Sequence, residues 1–223
     1  MTPRIQIIIP MWNKTLETDC LARRAAESVF QHVKSDYVLT LFNNASPFLG
    51  SWARKYPKAI LLSSSENLGF GRSINVAAAM TRSEYICQMN SDCDLVEDSV
   101  SQLIKFMEMY NVDVGMPEHY ENCQHYGIQK SEEIMGKDWR FGAFWVARRK
   151  AFESVGGFDT DYDMCYFEDT DLWKRLESQG FLVAGYRGTW VKHLGGASSL
   201  PNRDELFAKN KRLFESRWGA SST

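Results

Sequence analysis

Short apolar runs that alternate with helical patterns constrain the fold of this chain more than any other feature of its sequence. The first half contains five β-rich runs that predict strands, at 4–10, 37–43, 59–63, 85–90 and 112–116. Apolar residues at helical spacing predict helices between them, at 17–33, 71–81 and 97–110. Nearly continuous apolar strands indicate burial on both faces, so this βαβ series predicts a mostly parallel central sheet flanked by helices in an α/β fold.

The second half is less regular. It opens with a polar stretch, 117–138, which has no clear periodicity and predicts an inserted loop or flap. Further strands and helices are predicted after it, as strands at 141–147, 181–186 and 189–193 and as helices that begin near 149 and 167.

The segment 203–218 predicts an amphipathic helix. Its apolar side is formed by Leu206, Phe207, Leu213, Phe214 and Trp218. We expect this side to pack on the domain, with docking to a membrane or a partner as the alternative.

Length and composition indicate one ordinary globular domain that spans 1–223. The chain has 223 residues, 44% hydrophobic and 24% charged, which is enough for one substantial core. A net charge of -2 gives no electrostatic basis for a nucleic-acid partner. No apolar stretch is long enough to form a transmembrane segment or a signal sequence, so we expect a cytoplasmic protein, at most peripheral to a membrane.

The five cysteines favour free thiols in a reducing compartment, because their number is odd and no pair has CxxC spacing. His119, Cys123 and His125 are a weak zinc candidate, since they lie in a polar insert without a second ligand pair.

The stretch NSDCDL, 90–95, sets two carboxylates, Asp92 and Asp94, at the end of a predicted buried strand. Ligands of open α/β sheets bind beyond the carboxyl ends of strands. Two such close carboxylates repel each other unless solvent or a cation neutralises them, and Mg²⁺ or Mn²⁺ takes oxygen ligands from carboxylates and phosphates together. A metal site and a solvated turn that caps the next helix both explain the pattern.

Two further clusters carry candidate chemistry. His193 ends a short predicted strand just before a glycine pair, where a histidine is either structural or a ligand. Glu168, Asp169 and Asp171 fall in the first turn of a predicted helix, where the helix dipole favours acidic residues. Three acids are more than capping requires, so one of them is a candidate general base.

The loop ENLGFGRSIN, 66–75, precedes a helix and predicts anion binding at the helix N-terminus, with Arg72 as a phosphate or base contact. Ile74 stands where a dinucleotide fingerprint needs its third glycine, and the first strand runs into PMWNK rather than a glycine turn. The absence of a GxxxxGK[ST] motif argues against a P-loop NTPase.

Taken in order, the stretches IIIPMWNK, LFNNAS, ENLGFGRSINVAAAMTRSEYICQMNSDCDL, GAFWVARRKAFESVGGFDTDYDMCYFEDTDLWKRLESQGF and HLGGAS resemble family 2 glycosyltransferases of the GT-A fold. The resemblance spans about 4–198. It implies a single GT-A domain and the inverting transfer of a sugar from a nucleotide diphosphate donor to an acceptor hydroxyl, with Mn²⁺ or Mg²⁺ as cofactor. It also implies a glycan or lipid-linked glycan acceptor, as in polysaccharide biosynthesis.

Carried over by position, the resemblance implies a role for each site residue. The D-x-D motif of the family falls on Asp92, near the ribose and metal, and on Asp94, the principal metal ligand, with His193 as a further ligand. Asp169 is the implied base, and Glu168 orients the acceptor. The implied donor contacts are Pro10, Met11, Trp12, Asn13, Asn43, Asn44, Asn67, Gly71, Arg72, Ser91 and Asp92. The nucleotide half is then 1–116, the acceptor half 117–200, and the C-terminal helix 201–223.

One position departs from the family. Asn43 stands where the family usually has an aspartate that accepts the uracil or thymine N3–H, so the contact becomes neutral and weaker. A UDP-sugar is the first candidate donor and a dTDP-sugar the second. A nucleotidyltransferase, or a catalytically silent module that binds a sugar nucleotide or glycan, is the alternative function.

Overall fold

The structure, a computed structural model, describes residues 2–121, 134–135, 142–195, 200 and 202–219. The side chains of 119–121 and 134–135 fall outside this description. The zinc candidate, His119 with Cys123 and His125, therefore has no described side chain and stays a prediction.

The first half forms a parallel sheet with its connecting helices. Its elements are β1 (Ile5–Met11), α1 (Leu16–His32), β2 (Tyr37–Asn44), a short 3-10 helix (Ser51–Arg54), β3 (Ala59–Ser64), α2 (Phe70–Ala78) and β4 (Tyr85–Met89). The strands pair in the order β3-β2-β1-β4, all parallel. The carboxyl ends of these parallel strands therefore meet at one edge of the sheet.

The second half extends the same sheet. Its elements are β5 (Cys93–Asp94), α3 (Ser99–Met109), β6 (Val114–Glu121), β7 (Ile134–Met135), β8 (Phe144–Arg148), α4 (Arg149–Ser154), α5 (Glu168–Ser178), β9 (Val183–His193) and α6 (Arg203–Trp218). The order continues β4-β8-β6-β9-β5, with β7 beside β9. Only β6 and β9 pair in parallel in the described part of this half, while β4–β8, β6–β8, β5–β9 and β7–β9 are antiparallel.

The predicted α/β fold class is confirmed, with two local corrections. The stretch from 117 was expected to be a loop, but residues up to Glu121 continue β6. The strands expected at 181–186 and 189–193 form the single strand β9, whose pairing with β6 shifts register between Pro117 and Glu118. Residues 187–189 are the excess residues at this bulge, which explains why the sequence pattern breaks there.

The core lies on both faces of the sheet, as the apolar strands predicted. Ile7 and Ile9 of β1 pack in a cluster with α1 and α3, while Ile8 packs in the other with α2, α4 and α5. This alternation follows from the two-residue period of a strand. Among the described helices, none combines the length and apolarity needed to cross a membrane.

The C-terminal helix α6 packs on the domain through Leu206, Asn210 and Phe214, which are buried. Trp218 donates an indole N–H bond to Asp171 of α5 at 2.9 Å. Phe207 was expected on the packed side but is 45% exposed.

Candidate active site

A cavity of about 330 Å³ opens at the edge where β1, β2 and β4 end. Its wall combines these strand ends, the loop before α2, the loop before α5 and the start of α6. The lining residues are Pro10, Met11, Trp12, Asn44, Asn67, Gly69, Phe70, Ser73, Asn90, Ser91, Asp92, Met164, Cys165, Tyr166, His193, Leu200 and Arg203. We call this space the strand-end cavity. Its position is the one at which open α/β sheets bind ligands.

Asp92 and His193 meet in this cavity. The pairing of β5 with β9 sets Cys93 opposite His193, and Asp92 Oδ1 lies 3.3 Å from His193 Nε2. Cys93 completes the group of three potential metal ligands found among the described residues. Burial raises the pKa of the Cys93 thiol well above its ordinary value, and its Sγ donates to the Ala143 carbonyl. The thiol is thus held protonated, and one carboxylate with one imidazole remains as the donor set.

Asp94 is not part of this pair. Its carboxylate forms an ion pair with Arg24 of α1. The structure therefore brings Asp92 and His193 together and pairs Asp94 with α1, and the metal-ligand role expected for Asp94 stays a prediction. Arg24 and Asp94 are seventy residues apart in the chain, so no local pattern in the sequence indicated this ion pair.

The predicted acid pair lines a second cavity of about 390 Å³, which we call the acid cavity. It adjoins the strand-end cavity and shares Phe70, Asn90, Cys165, Tyr166 and His193 with it. Its other lining residues are Gly142, Ala143, Phe167, Glu168, Asp169, Thr170 and Phe207. Gly142 allows the close approach of Asp169, since a Cβ there would stand 2.4 Å from the Asp169 carboxylate.

Burial raises the pKa of both carboxyls. For Asp169, hydrogen bonds from Thr170 work against this burial effect on the pKa. For Glu168, the negative charge of Asp169 adds to burial, and the pKa lies well above the ordinary value. Glu168 Oε2 has no hydrogen-bond partner among the described residues. Because two adjacent like charges repel, this arrangement favours ionisation of one carboxyl over ionisation of both, the pattern of an acid pair poised for proton transfer.

Asp171, the third acid of this helix, has a structural role. Its carboxylate is buried and accepts hydrogen bonds from Tyr162, Arg175 and Trp218. These contacts hold α5 against α6 and against the loop that precedes α5. The excess of acids noted in the sequence is therefore divided between the cavity and the core.

The loop 163–167, which leads into α5, has an unusual backbone. Met164, Tyr166 and Phe167 have positive φ angles of 52°, 81° and 68°. Non-glycine residues rarely adopt this region, and each costs roughly 1–3 kcal/mol. Gly69 permits the loop to approach α2, because a Cβ there would stand 2.8 Å from the Met164 backbone. Strained backbone of this kind concentrates at functional sites.

Comparison with known proteins assigns the family. The sequence model described as "Glycosyl transferase family 2" matches residues 6–144. The chain belongs to glycosyl transferase family 2. This family 2 glycosyltransferase has the GT-A fold, which it shares with the crystal structure of S. aureus TarS 1-349 at a TM-score of 0.68. The likeness covers 95% of this chain and 72% of that one at 12% identity, and so concerns the fold alone.

A curated relative matches a shorter segment. It is an N-acetylglucosaminyl-diphospho-decaprenol L-rhamnosyltransferase of Mycobacterium tuberculosis, found in two strains and 41% identical over 66 residues. The segment covers 30% of this chain and 20% of that relative. The family assignment favours sugar transfer over the nucleotidyltransferase that the sequence left open.

The structure divides the expected donor contacts of the glycosyltransferase into two groups. Seven of them line the strand-end cavity, namely Pro10, Met11, Trp12, Asn44, Asn67, Ser91 and Asp92. Within this group, Asn44 shapes the loop before α2, because it donates to Asn67 and to the Gly69 carbonyl and accepts from Leu68.

The other four expected contacts have structural partners. Asn13 is buried and donates to Asp19, and Asn43 accepts from the Ser46 backbone N–H at 3.0 Å. Arg72 donates to the Thr160 carbonyl instead of facing the strand-end cavity. The missing Cβ of Gly71 makes room for the Phe158 ring, which a Cβ would meet at 2.8 Å. Donor roles for all eleven residues stay predictions.

Several cavity residues had no assigned role in the sequence. Asn90 lies in both cavities and stands directly before the SDCD run, so its place at a strand end was a usable signal. Arg203 and Phe207 reach the cavities from α6, for which the sequence indicated packing on the domain or docking to a membrane or partner, and no part in the site. Cys165 lines both cavities, and burial raises the pKa of its thiol to about 12, so it is held protonated.

Proposed function

We propose that this family 2 glycosyltransferase moves a sugar, with inversion, from a nucleotide diphosphate donor to an acceptor hydroxyl. The observation that carries the proposal is the junction of the two cavities at Asn90 and His193. The strand-end cavity offers a carboxylate and an imidazole at one side of this junction, and the acid cavity offers a candidate base at the other. The acceptor hydroxyl would then bond to the anomeric carbon on the face opposite the bond to the diphosphate, and that bond would break as the diphosphate leaves.

Asp92 and His193 would hold a divalent cation, Mn²⁺ or Mg²⁺, together with the donor diphosphate. Their donor set fits such an ion, since a carboxylate oxygen and an imidazole leave coordination positions for phosphate oxygens and water. When bound, the ion would neutralise charge that develops on the leaving diphosphate.

Asp169 would act as the base that removes the acceptor proton. Its raised pKa supports this role, because a base is most effective when its pKa approaches the working pH. Glu168, protonated beside it, would donate a hydrogen bond to the acceptor.

The acceptor would be a glycan or a lipid-linked glycan in the acid cavity. Phe70, Tyr166, Phe167 and Phe207 give this cavity an aromatic wall, which suits the apolar faces of sugar rings. The relative acts on a decaprenol-linked acceptor, which supports the lipid-linked alternative. Such an acceptor would place the enzyme at a membrane surface on the cytoplasmic side. We keep UDP-sugars as the first candidate donors and dTDP-sugars as the second.

The donor site is tested by calorimetric titration of UDP, dTDP and GDP with Mn²⁺ and then with chelator. We expect metal-dependent binding of one diphosphate, which Asp92→Asn and His193→Ala weaken at least tenfold, because each removes a metal ligand. Asp94→Asn is the variant that decides its role: a larger loss than in Asp92→Asn would make Asp94 the principal metal ligand, and near-native binding would leave the ion to Asp92 and His193. Loss of metal dependence in Asp94→Asn alone would move the metal to Asp94.

The base is tested separately by Asp169→Asn. Turnover should fall by roughly 10² to 10⁴, because the acceptor proton loses its base, while nucleotide affinity is retained. Transfer is followed with the donor sugar found from the diphosphate screen. Near-native turnover of Asp169→Asn would remove this residue from the role.

A further inference from the structure

The C-terminal helix α6 places a single buried side chain against the loop 163–167. The Asn210 side chain is fully buried, and its Nδ2 lies within hydrogen-bond distance of the carbonyls of Asp163, Cys165 and Tyr166, at 2.7, 2.8 and 3.2 Å. Its Oδ1 accepts from the Asp163 backbone N–H at 3.2 Å. One carboxamide thus serves four backbone groups of this loop.

The orientation of this amide is fixed by its surroundings. A reversed amide would set its oxygen against three carbonyl oxygens, with no donor between them. Burial strengthens the preference, since an unmet polar group away from water costs about 1–3 kcal/mol. Asn210 is therefore matched in geometry to this one conformation of the loop.

That conformation is the strained one. Met164, Tyr166 and Phe167 all have positive φ, and such backbone persists only where its surroundings hold it. On its other side the loop is held by α2, where the Phe70 N–H donates to the Met164 carbonyl at 2.6 Å. The loop is thus fixed between the donor side of the sheet and α6.

The loop leads directly into the acid pair. Its last residue, Phe167, is the N-cap of α5, and Glu168 and Asp169 follow as the first two residues of that helix. Phe167 has no side-chain cap bond, so the start of α5 depends on the backbone of this loop. Met164, Cys165 and Tyr166 line the strand-end cavity as well.

We propose that Asn210 is a positioning residue that sets the loop 163–167 and thereby aims Asp169 at the acceptor. The proposal rests on the proposed function, in which Asp169 is the base. Asn210 itself does not touch the substrates. Its effect belongs to the transfer step, since a misplacement of about 1 Å costs roughly 10² in rate.

The test compares Asn210→Leu with Trp218→Phe. The first variant keeps the approximate volume of Asn210 and removes all four hydrogen bonds to the loop. The second removes the bond from α6 to Asp171 and leaves the loop contacts intact. Calorimetric titration with the diphosphate that the native protein binds gives the fraction of each variant that binds nucleotide. The kcat of each variant is then expressed per nucleotide-binding site.

We expect Asn210→Leu to lower kcat per nucleotide-binding site by roughly 10² and to move the acid limb of its pH profile. Trp218→Phe should keep the native kcat and the native pH profile, even if it loses as much thermal stability as Asn210→Leu does. Equal losses of kcat in the two variants at equal loss of stability would overturn the proposal, and so would a native kcat in Asn210→Leu. If Asn210→Leu does not fold, Asn210→Ser, which keeps one O–H donor, should give an intermediate kcat, and a native value would overturn the proposal.

A second readout separates this proposal from the proposed function. Amide hydrogen exchange of residues 163–167 in the whole protein requires no sugar transfer. Faster exchange in Asn210→Leu than in Trp218→Phe would show that Asn210 holds the loop 163–167, even if no donor is turned over. In that case the proposed function alone fails. Equal exchange in the two variants would overturn the positioning role of Asn210 whatever the activity.

Discussion

Glu168 is the residue at which stability and function oppose each other most directly. It is buried in the wall of the acid cavity, beside the negative charge of Asp169, and one of its oxygens has no partner in the described part of the chain. Burial and the charge of Asp169 raise the pKa of Glu168 well above that of a free glutamate. The folded state therefore binds this proton more tightly than the unfolded state, and the free energy of unfolding decreases as pH rises from the unfolded pKa towards the folded one.

We expect Glu168→Gln to stabilise the protein at pH 8 by about 1 kcal/mol, roughly 2–4 °C in melting temperature. The reason is that an uncharged amide has no proton to lose when the carboxyl would ionise. The gain should shrink as pH falls towards 4, where the native carboxyl is protonated in both states. Melting curves from pH 4 to 8 measure this difference, with Glu66→Gln as the control at an exposed site. A gain independent of pH would show that ionisation of Glu168 is not its cause.

Asp92 and Asp94 show how far a sequence motif determines a site. Their spacing predicted two carboxylates at the end of β4, and both lie there. Their division between His193 and Arg24 depends on β9 and α1, which no local pattern connects to the motif. The place of the two carboxylates was therefore predictable, while the partner of each carboxylate required the tertiary structure.

At the scale of elements, α6 contributes more to the site than amphipathic periodicity indicates. Its buried side anchors it to the domain, while Phe207 projects towards the loop 163–167. The Phe207 ring lies 5.7 Å from that of Tyr166 and 5.1 Å from that of Phe167. An aromatic group that is half exposed at the rim of the acid cavity suits contact with an acceptor better than core packing.

We expect Phe207→Ala to lower kcat/KM for the acceptor about fivefold, corresponding to roughly 1 kcal/mol of lost aromatic contact. The donor KM should be nearly unchanged, because Phe207 lines only the acid cavity of the two described above. Met109→Ala, which removes an exposed apolar side chain at the end of α3, is the control. Steady-state kinetics with each substrate varied in turn would measure the effect. An equal rise of both KM values would argue against an acceptor contact.

The elements of the first half were predicted closely, since each strand there is a short apolar run between helical patterns. Those of the second half were less clear for a physical reason. β6 continues into polar residues and β9 carries a bulge at 187–189, so neither keeps one uninterrupted pattern. The two-residue strand β5 is too short to give any periodic signal and exists through its pairing with β9.

At the scale of the whole molecule, one buried cation joins the two halves of the chain. Arg149 begins α4, and its guanidinium donates to the Ala78 carbonyl at the end of α2 and to Gln6 of β1, both at 2.8 Å. It also donates to Thr81 and to the Ser83 carbonyl. These contacts join the first half of the chain to the second, and the two halves already share one sheet through β4 and β8.

We therefore expect the protein to unfold as one unit, as the single-domain prediction requires. We also expect Arg149→Met to lower the free energy of unfolding by about 3 kcal/mol. The loss arises because several buried acceptors on both halves lose their donor at once. Urea denaturation followed by tryptophan fluorescence and by circular dichroism measures both expectations, with Arg82→Met as the exposed control. The variant should keep a single transition at a lower midpoint, since β4 and β8 still pair. Two separate transitions in the native protein would show instead that the halves unfold independently and that the Arg149 contacts do not couple them.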